Sequence, residues 1–152
     1  MNIEKTCAFT GHRDIEEQID INFFEKCVQE LIDRGFDTFL CGMARGFDLI
    51  SGELVVKLKK KNPHIRLIAC IPCPDQDKYY HPEDREKYNR VLKECDEVKI
   101  LSEKFYKGCM LARDRYMVDN SSLLFGYERK REGGTYYTVN YAHSKNKNII
   151  MI

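Results

Sequence analysis

The sequence predicts an α/β fold in which a mostly parallel β-sheet lies between two layers of helices. Short apolar segments rich in β-branched and aromatic residues alternate with longer segments whose apolar residues have helical spacing. Parallel strands joined by helices require right-handed crossovers, which place helices on both faces of the sheet. The 152-residue chain contains no linker, repeat or low-complexity segment. We therefore expect residues 1–152 to form a single domain.

The N-terminal half begins with a short apolar strand at 6–10 and continues into a helix at about 19–34. That helix is predicted from one apolar stripe and a second stripe beside it: Ile19, Phe23, Cys27 and Leu31, with Phe24, Val28 and Ile32. Gly35 is suited to end it. A second strand at 38–41 leads through a glycine-containing turn into a helix that reaches about Lys61, where Asn62-Pro63 stops it.

The C-terminal half continues the alternation of strands and helices. Proline at position 82 is typical of a helix N-terminus, and a glycine turn precedes the last helix. We predict strands at 65–71, 97–101, 122–127 and 148–152, and helices at about 82–95, 108–120 and 134–144. The order of the strands within the sheet does not follow from this pattern.

Composition narrows the class of protein. The apolar fraction is 43% and the formal net charge is +1, so no global basic field favours nucleic acid. We accordingly do not expect nucleic acid among the partners. The N-terminus leads directly into a strand-like segment and the longest apolar run, 67–72, is too short to cross a bilayer. We expect a cytoplasmic protein without a membrane partner.

The seven cysteines do not suggest a disulfide framework. Cys7, Cys41 and Cys70 fall in strand-like segments, where a thiol packs as a small apolar group. Cys70 and Cys73 form one Cys-x-x-Cys pair, with prolines at 72 and 74 and no second pair to complete a metal site. A core strand ending in a rigid turn explains this pair better than metal or redox chemistry. We expect no metal and no organic cofactor.

Three turns follow predicted strands, and the carboxyl ends of parallel strands share one edge of a sheet. The first turn contains Thr10, Gly11, His12 and Arg13, whose polar groups either contact a ligand or solvate a loop. The second turn contributes these candidate residues: Gly42, Ala44, Arg45, Gly46 and Asp48. Its glycines allow backbone to approach a ligand closely. Asp48 is suited either to ribose hydroxyls or to the dipole of its own helix.

The third turn delivers Gly133, Gly134 and Thr135 to the start of the last helix. Free backbone N–H groups and the positive end of the helix dipole make such a start a site for anions. Arg113, on the preceding helix, can grip a phosphate or carboxylate with two parallel hydrogen bonds. Arg115 lies on a different face, so only one of the two arginines is expected in the site. A phosphate-bearing small molecule is the predicted ligand.

The sequence resembles the SLOG superfamily of Rossmann-like domains, which includes the Lonely Guy and DprA/Smf proteins. The resemblance rests on three segments: Thr10-Gly11-His12-Arg13, 42–48 and 113–119. They are most similar to the DUF1273, or YpsA-like, branch. The resemblance implies a Rossmann-like three-layer fold, a site for a nucleotide or nucleotide derivative with its phosphate at residues 133–135, and a homo-oligomer.

Whether the protein is an enzyme stays open at this point. Lonely Guy proteins hydrolyse the N-glycosidic bond of nucleoside monophosphates, and Arg113 and Met117 match two residues of their motif. The glutamate that those hydrolases carry is replaced here by Thr138. The candidate catalytic residues are Arg113 and three carboxylates that are suited to replace that glutamate: Asp48, Asp119 and Glu132. We favour nucleotide binding or sensing over hydrolysis, and either over a DNA-associated, DprA-like function.

Overall fold

A computed structural model describes residues 1–15 and 18–152. Within these residues a short 3-10 turn, Ile3–Lys5, precedes alternating strands and helices. The strands are β1 (Thr6–Gly11), β2 (Thr38–Cys41), β3 (Arg66–Ile71), β4 (Glu97–Ile100), β5 (Leu123–Tyr127) and β6 (Asn148–Met151). The helices are α1 (Ile21–Asp33), α2 (Phe47–Lys59), α3 (Pro82–Glu94), α4 (Cys109–Asp119) and α5 (Gly133–Ser144).

The sheet is parallel at every strand pair, and its order is β4-β3-β2-β1-β5-β6. The chain moves outward from β1 to β4, then crosses to the other side of β1 to form β5 and β6. Cys7 of β1 therefore pairs with Phe39 on one side and Leu123 on the other. The point between β1 and β5 where the direction reverses is the topological switch point, where open α/β sheets usually bind ligands.

Helices cover both faces of the sheet, which confirms the predicted Rossmann-like three-layer α/β class. Helices α1, α2 and α3 pack on one face, around an aromatic cluster in which Phe24 stacks on Phe47 and Phe125 at 5.2 Å each. Helices α4 and α5 pack on the other face against smaller side chains, including Ala8, Leu124 and Ala142. The strands at the centre are buried on both faces, as parallel sheets require.

Helix α1 begins two residues later than the sequence pattern predicts. Asp20 caps it by accepting a hydrogen bond from the Phe23 N–H at 3.0 Å. Ile19 is buried but lies outside the helix, and Phe23 is 53% exposed. The stripe that faces the core is Phe24, Val28, Leu31 and Ile32, so the choice of Ile19 and Phe23 as the leading stripe was wrong.

Two further expectations concern the cysteines and the membrane. Cys7, Cys41 and Cys70 are buried as free thiols in the sheet, as predicted. In the part of the chain that the structure describes, no helix combines the length and the apolar character that a bilayer crossing would need.

Candidate functional site

A cavity of about 640 Å³ opens at the switch point, beyond the carboxyl ends of β1 and β5. The turn after β1 forms one side, and the first residues of α4 and α5 form the others. The lining residues are 9–14, Ala44, Asp48, Phe105, 107–111, Arg113, Asp114, Lys130 and 132–135. This volume is in the range of cavities that hold small organic ligands.

Most of the residues singled out in the sequence border this cavity. The predicted ligand-binding residues along its wall are Thr10, Gly11, His12, Arg13, Ala44, Asp48, Arg113, Gly133, Gly134 and Thr135. Gly42, Arg45 and Gly46 do not line it. Of the predicted carboxylates, Glu132 lies in the wall as the N-cap residue of α5, whereas Asp119 accepts a hydrogen bond from the Tyr141 hydroxyl and does not line the cavity.

Gly42 and Gly46 support the cavity from behind. A Cβ atom on Gly42 would lie 2.8 Å from Asp48 Oδ2 and 2.9 Å from Arg113 Cζ, so only glycine lets these two side chains meet there. Gly46 has φ +81° and packs against the carbonyl groups of the β1 turn. Arg45 forms a surface ion pair with Asp14 at 2.6 Å. These three residues were predicted to contact ligand, but the structure gives them a supporting position.

Arg113 is buried beneath the cavity, and protein acceptors occupy most of its donors. Its Nε donates to Asp114 at 2.7 Å, and its Nη1 donates to the carbonyl groups of Gly42 and Cys70. Burial opposes the charge, but the carboxylates of Asp114 and Asp48 outweigh it and raise the pKa of Arg113. Arg113 is thus a buried charged side chain that stabilises the surrounding structure, and it also lines the cavity. We therefore expect Arg113→Ala to disturb the fold as well as the site.

Asp48 lies next to Arg113 and is almost fully enclosed. Its Oδ2 accepts a hydrogen bond from the Ala44 N–H at 3.2 Å, which fixes the second turn. Burial raises the pKa of Asp48 to about 7, and the nearby Arg113 only partly offsets this effect. A carboxyl group in this setting is half protonated near neutral pH.

Asp114 is a lining residue that the sequence analysis missed. It follows Arg113 in α4, accepts the hydrogen bond from Arg113 Nε, and lies 3.2 Å from the Thr138 hydroxyl of α5. Helical spacing offered a usable signal, because Met110, Arg113, Asp114 and Met117 lie at i, i+3, i+4 and i+7 of one helix face.

Two helix N-termini meet at the cavity, where the sequence predicted one. Helix α5 has Glu132 and α4 has Gly108 as N-cap residues, and neither cap makes a side-chain hydrogen bond to the helix. No side-chain cap competes for the first-turn N–H groups of either helix, although in α4 the Cys109 N–H already donates to the Tyr106 carbonyl at 3.0 Å. Thr135 is the third residue of α5 and is buried. Lys107, Lys130 and Arg13 add positive charge to the same wall.

His12 connects the first turn to the loop between β5 and α5. Its Nε2 accepts hydrogen bonds from the N–H groups of Arg129 at 2.7 Å and Lys130 at 3.2 Å. An imidazole nitrogen that accepts these bonds is unprotonated. These bonds fix the mixed-charge loop 128–132 against the turn that follows β1.

The fold and the three turns define a Rossmann-like protein of the SLOG superfamily. The chain belongs to the YpsA family, described as the YspA SLOG family, whose family model matches residues 7–152. The predicted superfamily and branch are thus confirmed.

Several bacterial proteins are similar in sequence. A UPF0398 protein of Halalkalibacterium halodurans is 30% identical over 125 residues, covering 80% of this chain and 66% of the relative. The SPbeta prophage-derived protein YoqJ of Bacillus subtilis is 33% identical over 116 residues, which is 68% of each chain. The UPF0398 protein YpsA of B. subtilis is 23% identical over 154 residues, with 93% and 86% covered. The chain spans about two thirds of the first two relatives.

Two solved structures share the fold. DNA processing protein A (DprA) from Streptococcus pneumoniae has a TM-score of 0.68 and 18% identity, covering 96% of this chain and 49% of DprA. DprA from Helicobacter pylori, described in a single-stranded DNA binding mode, has a TM-score of 0.69 and 19% identity, covering 96% and 64%.

The prediction that nucleic acid is not a partner is wrong. It rested on the near-neutral net charge, yet a protein with this fold is described as binding single-stranded DNA. Net charge averages over the whole surface and says nothing of single regions: Arg13, Lys107 and Lys130 share one cavity wall, which also contains Asp14, Asp48, Asp114 and Glu132. Charge balance therefore gives no ground for excluding nucleic acid.

Proposed function

We propose that this protein binds a phosphate-bearing nucleotide or nucleotide derivative in the cavity at the switch point. The observation that carries the proposal is the uncapped N-terminus of α5, where Gly133 and Gly134 present exposed backbone along the cavity wall. Backbone N–H groups at a helix start combine hydrogen bonding with the positive end of the dipole, which favours phosphate.

The surrounding groups support the same ligand class. The α4 N-terminus at Gly108 lies in the same wall, and the first-turn N–H groups that follow Cys109 are positioned for another anionic group of the same molecule. Lys107 and Lys130 add charge, and the cavity has room for more than a free phosphate. A mononucleotide or a diphosphate-linked derivative fits these features better than an uncharged metabolite.

Binding is favoured over hydrolysis because no carboxylate stands where the Lonely Guy hydrolases carry their glutamate. Thr138 holds that position, and it is buried with its hydroxyl 2.7 Å from the Gly134 carbonyl oxygen. Of the proposed replacements, Asp119 is engaged with Tyr141 away from the cavity. Asp48 and Glu132 line the wall, so a glycosidic hydrolase remains the alternative that the binding experiment must also test.

The test is a thermal-shift screen with AMP, other nucleoside monophosphates, ADP-ribose and dinucleotides, followed by calorimetry and chromatography for released base. A ligand at a hundred times its dissociation constant adds about 2.7 kcal/mol of stability, which is visible as a higher melting temperature. A shift without base release supports binding, and base release supports the hydrolase. No shift with any compound contradicts the proposal.

Gly134 offers a matched pair of variants for this test. A Cβ atom there would meet only Asp114 Oδ2, at 3.9 Å, so larger side chains extend into open space. We expect Gly134→Val to weaken nucleotide binding at least about tenfold by obstructing the backbone N–H groups, while Gly134→Ala has a smaller effect. Both variants should melt near the wild-type temperature without ligand. Unchanged affinity in Gly134→Val would place the phosphate elsewhere.

Single-stranded nucleic acid is a second candidate, favoured by one observation. Phe105 is 67% exposed and lies in the cavity wall near Lys107 and Arg13, and an aromatic face beside cations suits an unpaired base and its phosphate. Binding of a labelled oligonucleotide that falls steeply with salt and is weakened in Phe105→Ala would support it. No binding at low salt would remove this candidate.

A further inference from the structure

We propose that the Asp114 carboxylate recognises neighbouring sugar hydroxyls, so that the cavity selects ribose phosphates over deoxyribose phosphates. This inference rests on the phosphate binding proposed above and specifies the ligand class of the same cavity. It assigns the role of hydroxyl acceptor to Asp114 in place of Asp48, which the sequence suggested.

The first step is that Asp114 is held rigidly while still facing the cavity. Its Oδ1 accepts the hydrogen bond from Arg113 Nε at 2.7 Å, and its side chain retains 14% exposure. Arg113 itself is anchored on the carbonyl groups of Gly42 and Cys70. A carboxylate fixed in this way requires little reordering when a ligand binds.

The second step is that both carboxylate oxygens keep acceptor capacity. A carboxylate oxygen can accept about two hydrogen bonds. Oδ1 has one donor in the described part of the chain, Arg113 Nε. Oδ2 faces the Thr138 hydroxyl at 3.2 Å, but that hydroxyl has one hydrogen and lies closer, at 2.7 Å, to the Gly134 carbonyl oxygen. Two adjacent hydroxyl groups can therefore bind the two oxygens together.

The third step is the position of Asp114 relative to α5. A Cβ atom on Gly134 would lie 3.9 Å from Asp114 Oδ2, so the carboxylate stands beside the second residue of the helix. A phosphate on the α5 N-terminus places the atoms that follow it close to this carboxylate. An ionised carboxylate can only accept hydrogen bonds, so the ligand groups that bind to it are hydrogen-bond donors. In a nucleoside monophosphate the sugar hydroxyls are the donors at this distance, and the amino group of the base is farther away.

Asp48 is less suited to the same role. It is 5% exposed, its Oδ2 already accepts from the Ala44 N–H, and it lies beside the Gly42 and Arg113 contact. Asp48 instead stabilises the second turn through its hydrogen bond with the Ala44 N–H.

The test compares AMP with 2'-deoxy-AMP and 3'-deoxy-AMP by calorimetry, because the three share phosphate and base. A hydrogen bond to a charged group is worth enough that each missing hydroxyl should weaken wild-type binding by about tenfold or more. In Asp114→Asn the three compounds should bind with affinities within about threefold of each other. Thr138→Val is the control: it keeps the carboxylate and its contact with Arg113, so the preference for AMP should persist.

The outcomes separate this inference from the one on which it rests. If the wild-type protein binds AMP and both deoxy compounds equally well, the role of Asp114 is overturned and phosphate binding stands. If the wild-type protein binds none of the three compounds, the inference is overturned and AMP is not a ligand. If Asp114→Asn keeps the full preference for AMP, the role of Asp114 is overturned. If Asp114→Asn does not fold, the wild-type comparison decides.

Discussion

At the residue scale, a buried group of charges forms the floor of the cavity, and one arginine in it interacts with two carboxyl groups. Arg113 pairs with Asp114 directly and lies beside Asp48, with Gly42 leaving room for the contact. A buried ion pair adds little net stability compared with apolar packing, but the removal of one partner leaves an uncompensated charge. Substitutions in this cluster should therefore change both the stability of the fold and the shape of the cavity.

Arg113→Ala should destabilise the fold. Because it leaves the buried Asp114 carboxylate without its charged donor, while the Gly42 carbonyl still accepts from Gln76 Nε2, we expect the free energy of unfolding to fall by about 3–5 kcal/mol in urea denaturation. Arg115→Ala is the matched control, since Arg115 donates one hydrogen bond to the Tyr137 hydroxyl outside the cavity. Its loss should be about 1 kcal/mol or less. Equal losses of unfolding free energy in Arg113→Ala and Arg115→Ala would show that the buried charges contribute no more to stability than the Arg115 hydrogen bond does.

Asp48 should make stability depend on pH. Its folded-state pKa of about 7 is above the ordinary 3.8, so the folded protein holds a proton that the unfolded chain has released. The stabilisation is complete below about pH 4 and is lost as pH rises through 7, with a slope of up to about 1.4 kcal/mol per pH unit. In Asp48→Asn the unfolding free energy between pH 5 and 7 should lose this slope. Parallel curves for the two proteins would refute the assignment.

At the element scale, the sequence located the strands β1 to β6 and the helices α1 to α5, but it missed the 3-10 turn Ile3–Lys5 and misplaced some helix starts. Helix α1 was placed two residues early because Ile19 is apolar and in phase, whereas the start is decided by the Asp20 cap. Helix α5 starts at Gly133 with Glu132 as its N-cap, where Gly134 was expected. The α4 N-terminus was located in sequence, but its place in the site depends on packing against α5.

The loop between β5 and α5 should depend on His12. In His12→Ala the N–H groups of Arg129 and Lys130 lose their shared acceptor, so we expect faster hydrogen exchange there and weaker AMP binding. His64→Ala, at an exposed position that does not line the cavity, is the control. Unchanged exchange at residues 129 and 130 in His12→Ala would mean that the loop is held by other contacts.

At the scale of the whole molecule, strand order creates the site. The apolar pattern shows that Phe9 and Phe125 are buried, but it cannot show that β1 and β5 are neighbours. That pairing brings the turn after β1 beside the start of α5 and places α4 next to both. The sequence could therefore predict the three turns, and its helical spacing offered a signal for Asp114, whereas the place of the α4 N-terminus in the site required the fold. Self-association stays a prediction, which light scattering would test.

An NMR titration of 15N-labelled protein with AMP would show whether the phosphate binds at the start of α5. We expect the largest shifts at the amide resonances of Gly133, Gly134 and Thr135, and we expect them to saturate with AMP and to be lost in Gly134→Val. Inorganic phosphate at higher concentration should shift the same amides. Saturable shifts confined to other parts of the molecule, or no shifts at these three residues, would contradict a phosphate site at the start of α5.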